Sequence, residues 1–440
     1  MKLTFITPPS EYLKNPFRGD QHAQMQLLTI LQDRYNGGLE LSLEDMRGVK
    51  KEFVGYRIPE ADVYLQSIYT VDYEDQIEMV KNIKERYPKA KHIAGGPHAT
   101  LFSDSCSSSF DSVVLGDAEE TIIKVVQDLQ RNILKKVYCQ EKPVDINFYP
   151  YANRSFLPKA TTARKGMMSV RHKKEYDDLL GTTVVFTRGC PYKCAFCAIP
   201  QIRSINPRIR YRSPDNIVSE IEYLKRDYGI QGINLLDEIG IPLDRKMAIS
   251  RLEALASTGI IWRGQCRVDG ITTEIASKMK ESGCVAMALG VESAWQQSLD
   301  IINKKINVEK SKETIKLLKD NDIAVRMYMM LGLPGEPKDI VDRTWNFIQE
   351  TKPDVVFLSF FTIRPGTDVY NHPDRYGIKY IDTDWKKNNH LFDSTRTPTV
   401  SFEYHENAPW GKTPTKEEIV ENYIRLSKRI EDAGLSPVST

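Results

Sequence analysis

The sequence predicts an α/β protein built on two parallel sheets in tandem, with a carboxyl-terminal extension. Three observations predict it. Apolar runs of strand length alternate with amphipathic helical patterns; the alternation breaks over residues 141–180 and then resumes; after residue 371 it gives way to aromatic and polar sequence closed by one helical pattern. Strands that alternate with helices build a parallel sheet covered on both faces, and 440 residues can bury two such cores.

The first series opens with KLTFITPP, an apolar run stopped by a double proline, and continues with the helical pattern QMQLLTILQDRY. An extended ADVYLQSIYT, a helix in YEDQIEMVKNIKERY, strands in KHIAGGPHA and DSVVLGDA, and a helix in EETIIKVVQDLQ complete it by residue 140. Residues 1–140 are therefore expected as a doubly wound, Rossmann-like domain. Residues 141–180 mix proline, aromatic and basic residues without a period and read as a linker; the basic cluster from Arg164 to Lys174 reads as a solvated loop. Over residues 181–371 the strands TTVVFTRGC, GINLLDEIG, WRGQCRVDG, AMALGVES, AVRMYMMLGLPGE and DVVFLSFFTIRPG are separated by five helical patterns. Six strands and five helices fit a partial (β/α)6 barrel, whose chemistry belongs at the carboxyl ends of the strands. Residues 372–440 are expected either to cap the substrate pocket or to pack as a solvated extension, with Trp385, Tyr404 and His405 as the residues to locate.

A formal charge of +2 gives no support for general nucleic-acid binding, no run approaches the length of a membrane span, and the amino terminus does not read as a secretory signal. The expectation is a cytoplasmic protein. Seven cysteines in such a chain argue for reduced thiols. Cys106, Cys139, Cys266 and Cys284 are scattered singly and read as buried or incidental.

Cys190, Cys194 and Cys197 are different, because TRGCPYKCAFCAIP sets them on one short loop just beyond the first barrel strand and supplies no fourth. A structural zinc ion asks for four protein ligands. A cubane cluster held by three cysteines keeps one iron open for a ligand that is not protein.

This spacing, with the aromatic Phe196 before the last cysteine, resembles the signature of the radical S-adenosylmethionine (SAM) superfamily. The resemblance implies a [4Fe-4S] cluster on Cys190, Cys194 and Cys197, SAM on the open iron, and cleavage of SAM to a 5'-deoxyadenosyl radical. It further implies SAM contacts from Asp237 and Glu238 of LLDEIG, Glu292 of GVES, and Gly332 and Gly335 of MLGLPGE, with Arg326 facing the barrel mouth to pair with the SAM carboxylate. On the residues alone, a capping acid pair, a simple turn and an ordinary salt bridge stay open for these positions.

The strand ends TPPS, SIYT, GGPHAT and LGDAEE of the first domain are similar to the cobalamin-binding domain of the cobalamin-dependent radical SAM family, class B methyltransferase-like. That likeness implies a cobalamin pocket at Pro8, Ser67, Thr70, Gly95, Gly96, His98 and Gly116. Asp20, His22 and Met25 form a D-x-H-x-x-M pattern resembling the D-x-H-x-x-G motif that ligates cobalt elsewhere, but the glycine is missing and His22 is not assigned as a ligand. The implied reaction is methylation of an unactivated carbon, or of phosphorus, through the deoxyadenosyl radical and methylcobalamin. The substrate would be a small molecule or peptide, and the electron would come from an external reductant of flavodoxin or ferredoxin type. Rearrangement or cyclisation without methyl transfer, and a non-catalytic iron–sulfur or zinc protein with a partner-binding first domain, are the other readings.

Overall fold

The computed structural model describes residues 1–10, 15–17, 19–140, 142–384 and 399–437; Trp385 lies outside them. Among the described residues the chain divides into two compact units, the first comprising residues 1–162 and 199–210 and the second residues 163–198, 211–384 and 399–437.

Six parallel strands make the sheet of the first unit: β1 Lys2–Thr7, β2 Glu40–Asp45, β3 Val63–Ser67, β4 Lys91–Gly95, β5 Ser112–Leu115 and β6 Val137–Cys139, in the order β2-β1-β3-β4-β5-β6. Both faces of β1 are buried. Leu3 and Phe5 join the core formed with helices His22–Arg34 and Thr121–Gln130, whereas Ile6 joins the core formed with helices Lys51–Arg57 and Tyr73–Arg86. The expected doubly wound sheet is present, with two strands that the sequence did not announce. ELSLED in β2 is mostly polar and half-buried at one edge, and VYC in β6 is too short to show a period. GGPHA is also divided: β4 ends at Gly95 and Gly96–Leu101 turns into a short helix.

The stretch expected as a linker is packed. Val144, Ile146, Tyr149, Ala152 and Leu157 belong to the first unit's core, and Met168 and Val170 belong to a core of the second.

The second sheet contains β7 Gly181–Val184, β8 Gly232–Leu235, β9 Ile261–Cys266, β10 Cys284–Glu292, β11 Ala324–Leu331 and β12 Val355–Phe360, all parallel and side by side in chain order. This is the expected six-stranded partial barrel. Local signals set its helices: Ser213, Asp244, Thr272 and Asn307 each accept a backbone N–H at a helix start, and Gly229 and Gly259 close two helices in the left-handed conformation that glycine adopts without strain. An open barrel has two exposed edges, and both are met here. Arg164 and Gly181 exchange backbone hydrogen bonds beside β7, and Val356 of β12 donates to the carbonyl of Leu435.

Candidate active site

The acid pair at the end of β8 fixes the start of the cysteine loop. Asp237 is wholly buried; it accepts from Phe186 N at 2.7 Å and pairs with Arg251 at 2.9 Å. Arg251 also donates to Thr187 Oγ1 at 2.7 Å and Gly240 O at 3.0 Å. Glu238 accepts from Gly189 N at 2.7 Å and is half-buried. Asp237 is thus a positioning residue, committed to Arg251 and to the strand that delivers the cysteines. Glu238 is the member of the pair with surface at the barrel mouth.

Residues 189–197 wrap over the carboxyl ends of the barrel strands. Ala195 N donates to Ile302 O at 2.8 Å, Val369 N to Ala195 O at 3.1 Å, and Asn303 Nδ2 to Lys193 O at 2.7 Å. Cys194 is buried, while Cys190 and Cys197 are half-buried. The thiols lie within electrostatic reach of one another: burial pushes the Cys190 thiol up, Cys197 and Cys194 push it further, and a backbone hydrogen bond and Arg267 oppose them. Among the described residues, no three His, Cys, Asp or Glu side chains gather as a site for a single metal ion. The donor set fits a multi-iron cluster, in which each thiolate takes a different iron and the fourth iron stays open.

Glu292 ends β10 with φ +68°, a left-handed conformation that costs a non-glycine residue about 1–3 kcal/mol. Its carboxylate pairs with Lys304 Nζ at 2.6 Å, both side chains being largely buried. Lys304 Nζ stands 5.7 Å from the ring centroid of Phe196.

Two cations escaped the sequence reading. Arg267, just after β9, directs Nη1 to Cys194 Sγ at 3.7 Å. Arg364, just after β12, has its pKa pulled down by burial and partly restored by Cys197 and Glu292, which places it within their electrostatic reach. Neither belongs to a short motif. Their only sequence signal is an arginine beyond a barrel strand, the first residue after it for Arg267 and the fourth for Arg364.

Other expected SAM contacts are placed differently. Arg326 is the third residue of β11, five positions before its carboxyl end, and its guanidinium lies 4.9 Å from the Phe357 ring centroid. At roughly 3.3 Å per residue it belongs to the opposite end of the strand from the mouth. Gly332 and Gly335 adopt φ +85° and +82°. A Cβ on Gly332 would stand 2.9 Å from Ile419 Cγ2, and one on Gly335 2.6 Å from Ile301 Cδ1. Their small size admits protein side chains. Tyr404 does reach this loop, donating to Gly332 O at 2.8 Å, whereas His405 stands at the surface 3.6 Å from Asp374.

In the first unit, strand order reverses between β1 and β3, the position where doubly wound sheets bind ligands. Ser67, Thr70, Gly95 and Gly96 are partly exposed at the carboxyl ends of the strands. Gly96, at φ +89°, lets two loops cross, because a Cβ there would stand 2.7 Å from Ser67 Oγ. Three expected residues differ. Pro8 is buried. His98 is 2% exposed, stacked on Tyr73 at 4.2 Å and bonded to Thr70 Oγ1 at 3.1 Å; burial pulls its pKa down to about 4, so it supports Thr70 from behind as a neutral ring. Gly116 is covered by Ile205 and Asn206, whose atoms would be 3.3–3.5 Å from a Cβ. Asp20 of the D-x-H-x-x-M pattern is paired with Arg154, both side chains 1% exposed, and Met25 is in the core.

The family model of the radical SAM superfamily matches residues 184–348, which contain all three loop cysteines and β8 to β11. Residues 184–348 thus form a radical SAM domain. The chain is 24% identical over 420 residues to an uncharacterised methyltransferase of Pyrococcus horikoshii, covering 88% of the present chain and 86% of that one. It is 30% identical over 308 residues to the anaerobic magnesium-protoporphyrin IX monomethyl ester cyclase of Rubrivivax gelatinosus, covering 65% of the present chain but 54% of the cyclase, so it spans about half of that relative. Among solved structures, the radical SAM methyltransferase TsrM of Kitasatospora setae, with cobalamin and [4Fe-4S] cluster bound, superposes with a TM-score of 0.64 at 14% identity over 84% of the present chain and 77% of that one. The likeness establishes the fold across both sheets. Among the described residues, no helix is long and apolar enough to cross a membrane.

Proposed function

We propose that this radical SAM enzyme is cobalamin-dependent and methylates an unactivated carbon or phosphorus centre. The observation that carries the reading is three cysteines on one loop at the head of a six-stranded parallel barrel sheet, preceded by a doubly wound sheet with a small-residue edge at its switch point. Cys190, Cys194 and Cys197 hold the [4Fe-4S] cluster; Glu238 and Glu292 face the polar end of SAM; Ser67, Thr70, Gly95 and Gly96 meet cobalamin. When bound, these groups supply a carbon-centred radical that removes hydrogen from the substrate and a methyl group that replaces it. The chain holds the cysteine loop through Asp237 and Glu238, places the Arg267 guanidinium beside Cys194, and covers the barrel loops with its extension.

One relative matched nearly end to end is named a methyltransferase, which supports methyl transfer. Cyclisation is the second reading, favoured by the 30% identity to the cyclase and by a cyclase of the same name in Synechocystis that matches 90% of the present chain and 82% of its own. Once a substrate is in hand, a product heavier by one CH₂ marks methylation, and a product with no added carbon marks cyclisation.

The first test is anaerobic reconstitution with iron, sulfide and hydroxocobalamin, followed by metal analysis and an absorption spectrum. About four irons and a single cobalt per chain are expected. The variant with Cys190, Cys194 and Cys197 all changed to alanine should lose the iron and keep the cobalt. Iron without cobalt would remove the methyl donor and leave the first unit a degenerate or substrate-binding module.

A further inference from the structure

The cysteine loop is approached by a cation that is itself held from four sides. Arg267 is 7% exposed. Its Nε and Nη2 donate to the Asp269 carboxylate, each at 3.0 Å, and Nη2 also donates to Lys304 O at 2.8 Å and Lys305 O at 3.3 Å. The guanidinium carbon lies 3.5 Å from the Tyr192 ring centroid, and Tyr192 Oη donates to Asp269 Oδ2 at 2.9 Å. A carboxylate, two carbonyls and a ring therefore fix the guanidinium plane. Nη1 is left directed at Cys194 Sγ, 3.7 Å away.

We propose that Arg267 sets the reduction potential of the [4Fe-4S] cluster by donating to the Cys194 thiolate, an inference that rests on reading the three cysteines as its ligands. One-electron reduction places one further negative charge on the cluster, the electron coming from a low-potential flavodoxin-type or ferredoxin-type donor. Cluster potentials respond to net charge, to hydrogen bonds on the sulfurs and to burial. A fixed N–H and a buried positive charge stabilise the more negative state, so Arg267 raises the potential and eases entry of the electron. Asp269 holds the guanidinium in place and offsets part of its charge. Arg267 is accordingly a positioning and tuning residue, distinct from the ligands.

The test compares the full-length wild type with Arg267→Gln and Arg267→Lys, each reconstituted anaerobically and titrated with a chemical reductant under electron paramagnetic resonance detection. Iron content is measured on every sample. In Arg267→Gln the equilibrium constant for cluster reduction is expected to fall at least tenfold, a shift of about 59 mV to more negative potential for a one-electron couple; Arg267→Lys keeps the charge and recovers most of it. A fully loaded Arg267→Gln with the wild-type potential overturns the proposal. If that variant does not hold iron, Asp269→Asn keeps the cation and withdraws its counter-charge, so its potential should rise, and an unchanged value overturns the proposal equally. Failure of the wild type to hold four irons strikes instead at the cluster assignment.

Discussion

Glu336 shows how far a single buried acid can carry a pH dependence. It is enclosed beside the Gly332 turn, accepting from Gly332 N at 2.9 Å through Oε2, while Oε1 has no partner among the described residues. Burial pushes its pKa up to about 8. Burial thus favours the neutral carboxyl at this position. The folded-state value lies above the unfolded value of about 4.3, so the folded state keeps a proton that the unfolded chain releases. The associated stability is fully present below about pH 4.3 and is lost as pH rises through about 8, at about 1.4 kcal/mol per pH unit across that window. Denaturant melts at pH 6 and pH 8 should show a large decline for the wild type and a smaller one for Glu336→Gln, which keeps an acceptor but cannot ionise. Equal declines would assign the titration to other groups. Residues of this kind were not legible in the sequence, and the three cysteines were, for one physical reason. The cysteines act together from one loop, whereas the environments of Glu336 and Arg267 are assembled by folding; Arg267 meets Cys194 across 73 positions.

At the scale of elements, regular alternation made most helices and the barrel strands legible, because a parallel strand buried on both faces is an unbroken apolar run. β2 and β6 were hidden by half-burial and by shortness, and helix Gly96–Leu101 by the strand-like residues before it. The role of helix Lys416–Asp432 was hidden more deeply, since amphipathicity does not say which surface a helix covers. It covers the open edge of the barrel: Ile419 fills the space over Gly332, Tyr423 packs on Phe360 with centroids 4.2 Å apart, and Leu435 accepts from Val356 of the edge strand. Ile419, Leu426 and Ile430 are buried, each worth about 1.5–3 kcal/mol. Truncation after Lys412 should therefore expose β12 as an unpaired edge and lower the unfolding midpoint, with aggregation measured by light scattering. A truncated chain that stays monomeric with the wild-type midpoint would reduce this helix to a solvated appendage.

At the scale of the whole molecule, the decisive feature is the path of the chain immediately after Cys197. Residues 199–210 leave the second unit and fold with the first before the chain returns to the barrel. Their anchor is Asp117, just beyond β5, which pairs with Arg210 and lies 3.5 Å from Arg203. Asn206 Nδ2 adds a bond to Gln140 O at 2.8 Å. Asp117 and Arg210 are almost wholly buried, and removing one partner of such a pair costs about 3–5 kcal/mol because the other charge is left without compensation. The exit of the cysteine loop is thus tied, through the backbone, to an acid 73 positions before the first cysteine. Asp117→Asn should consequently release cluster iron to a chelator several-fold faster than the wild type, although it changes no ligand. Release at the wild-type rate from a variant whose melting midpoint has fallen would show that this anchor stabilises the first unit without restraining the loop; faster release would mean that the doubly wound unit helps to hold the cluster by gripping the segment that follows its last ligand.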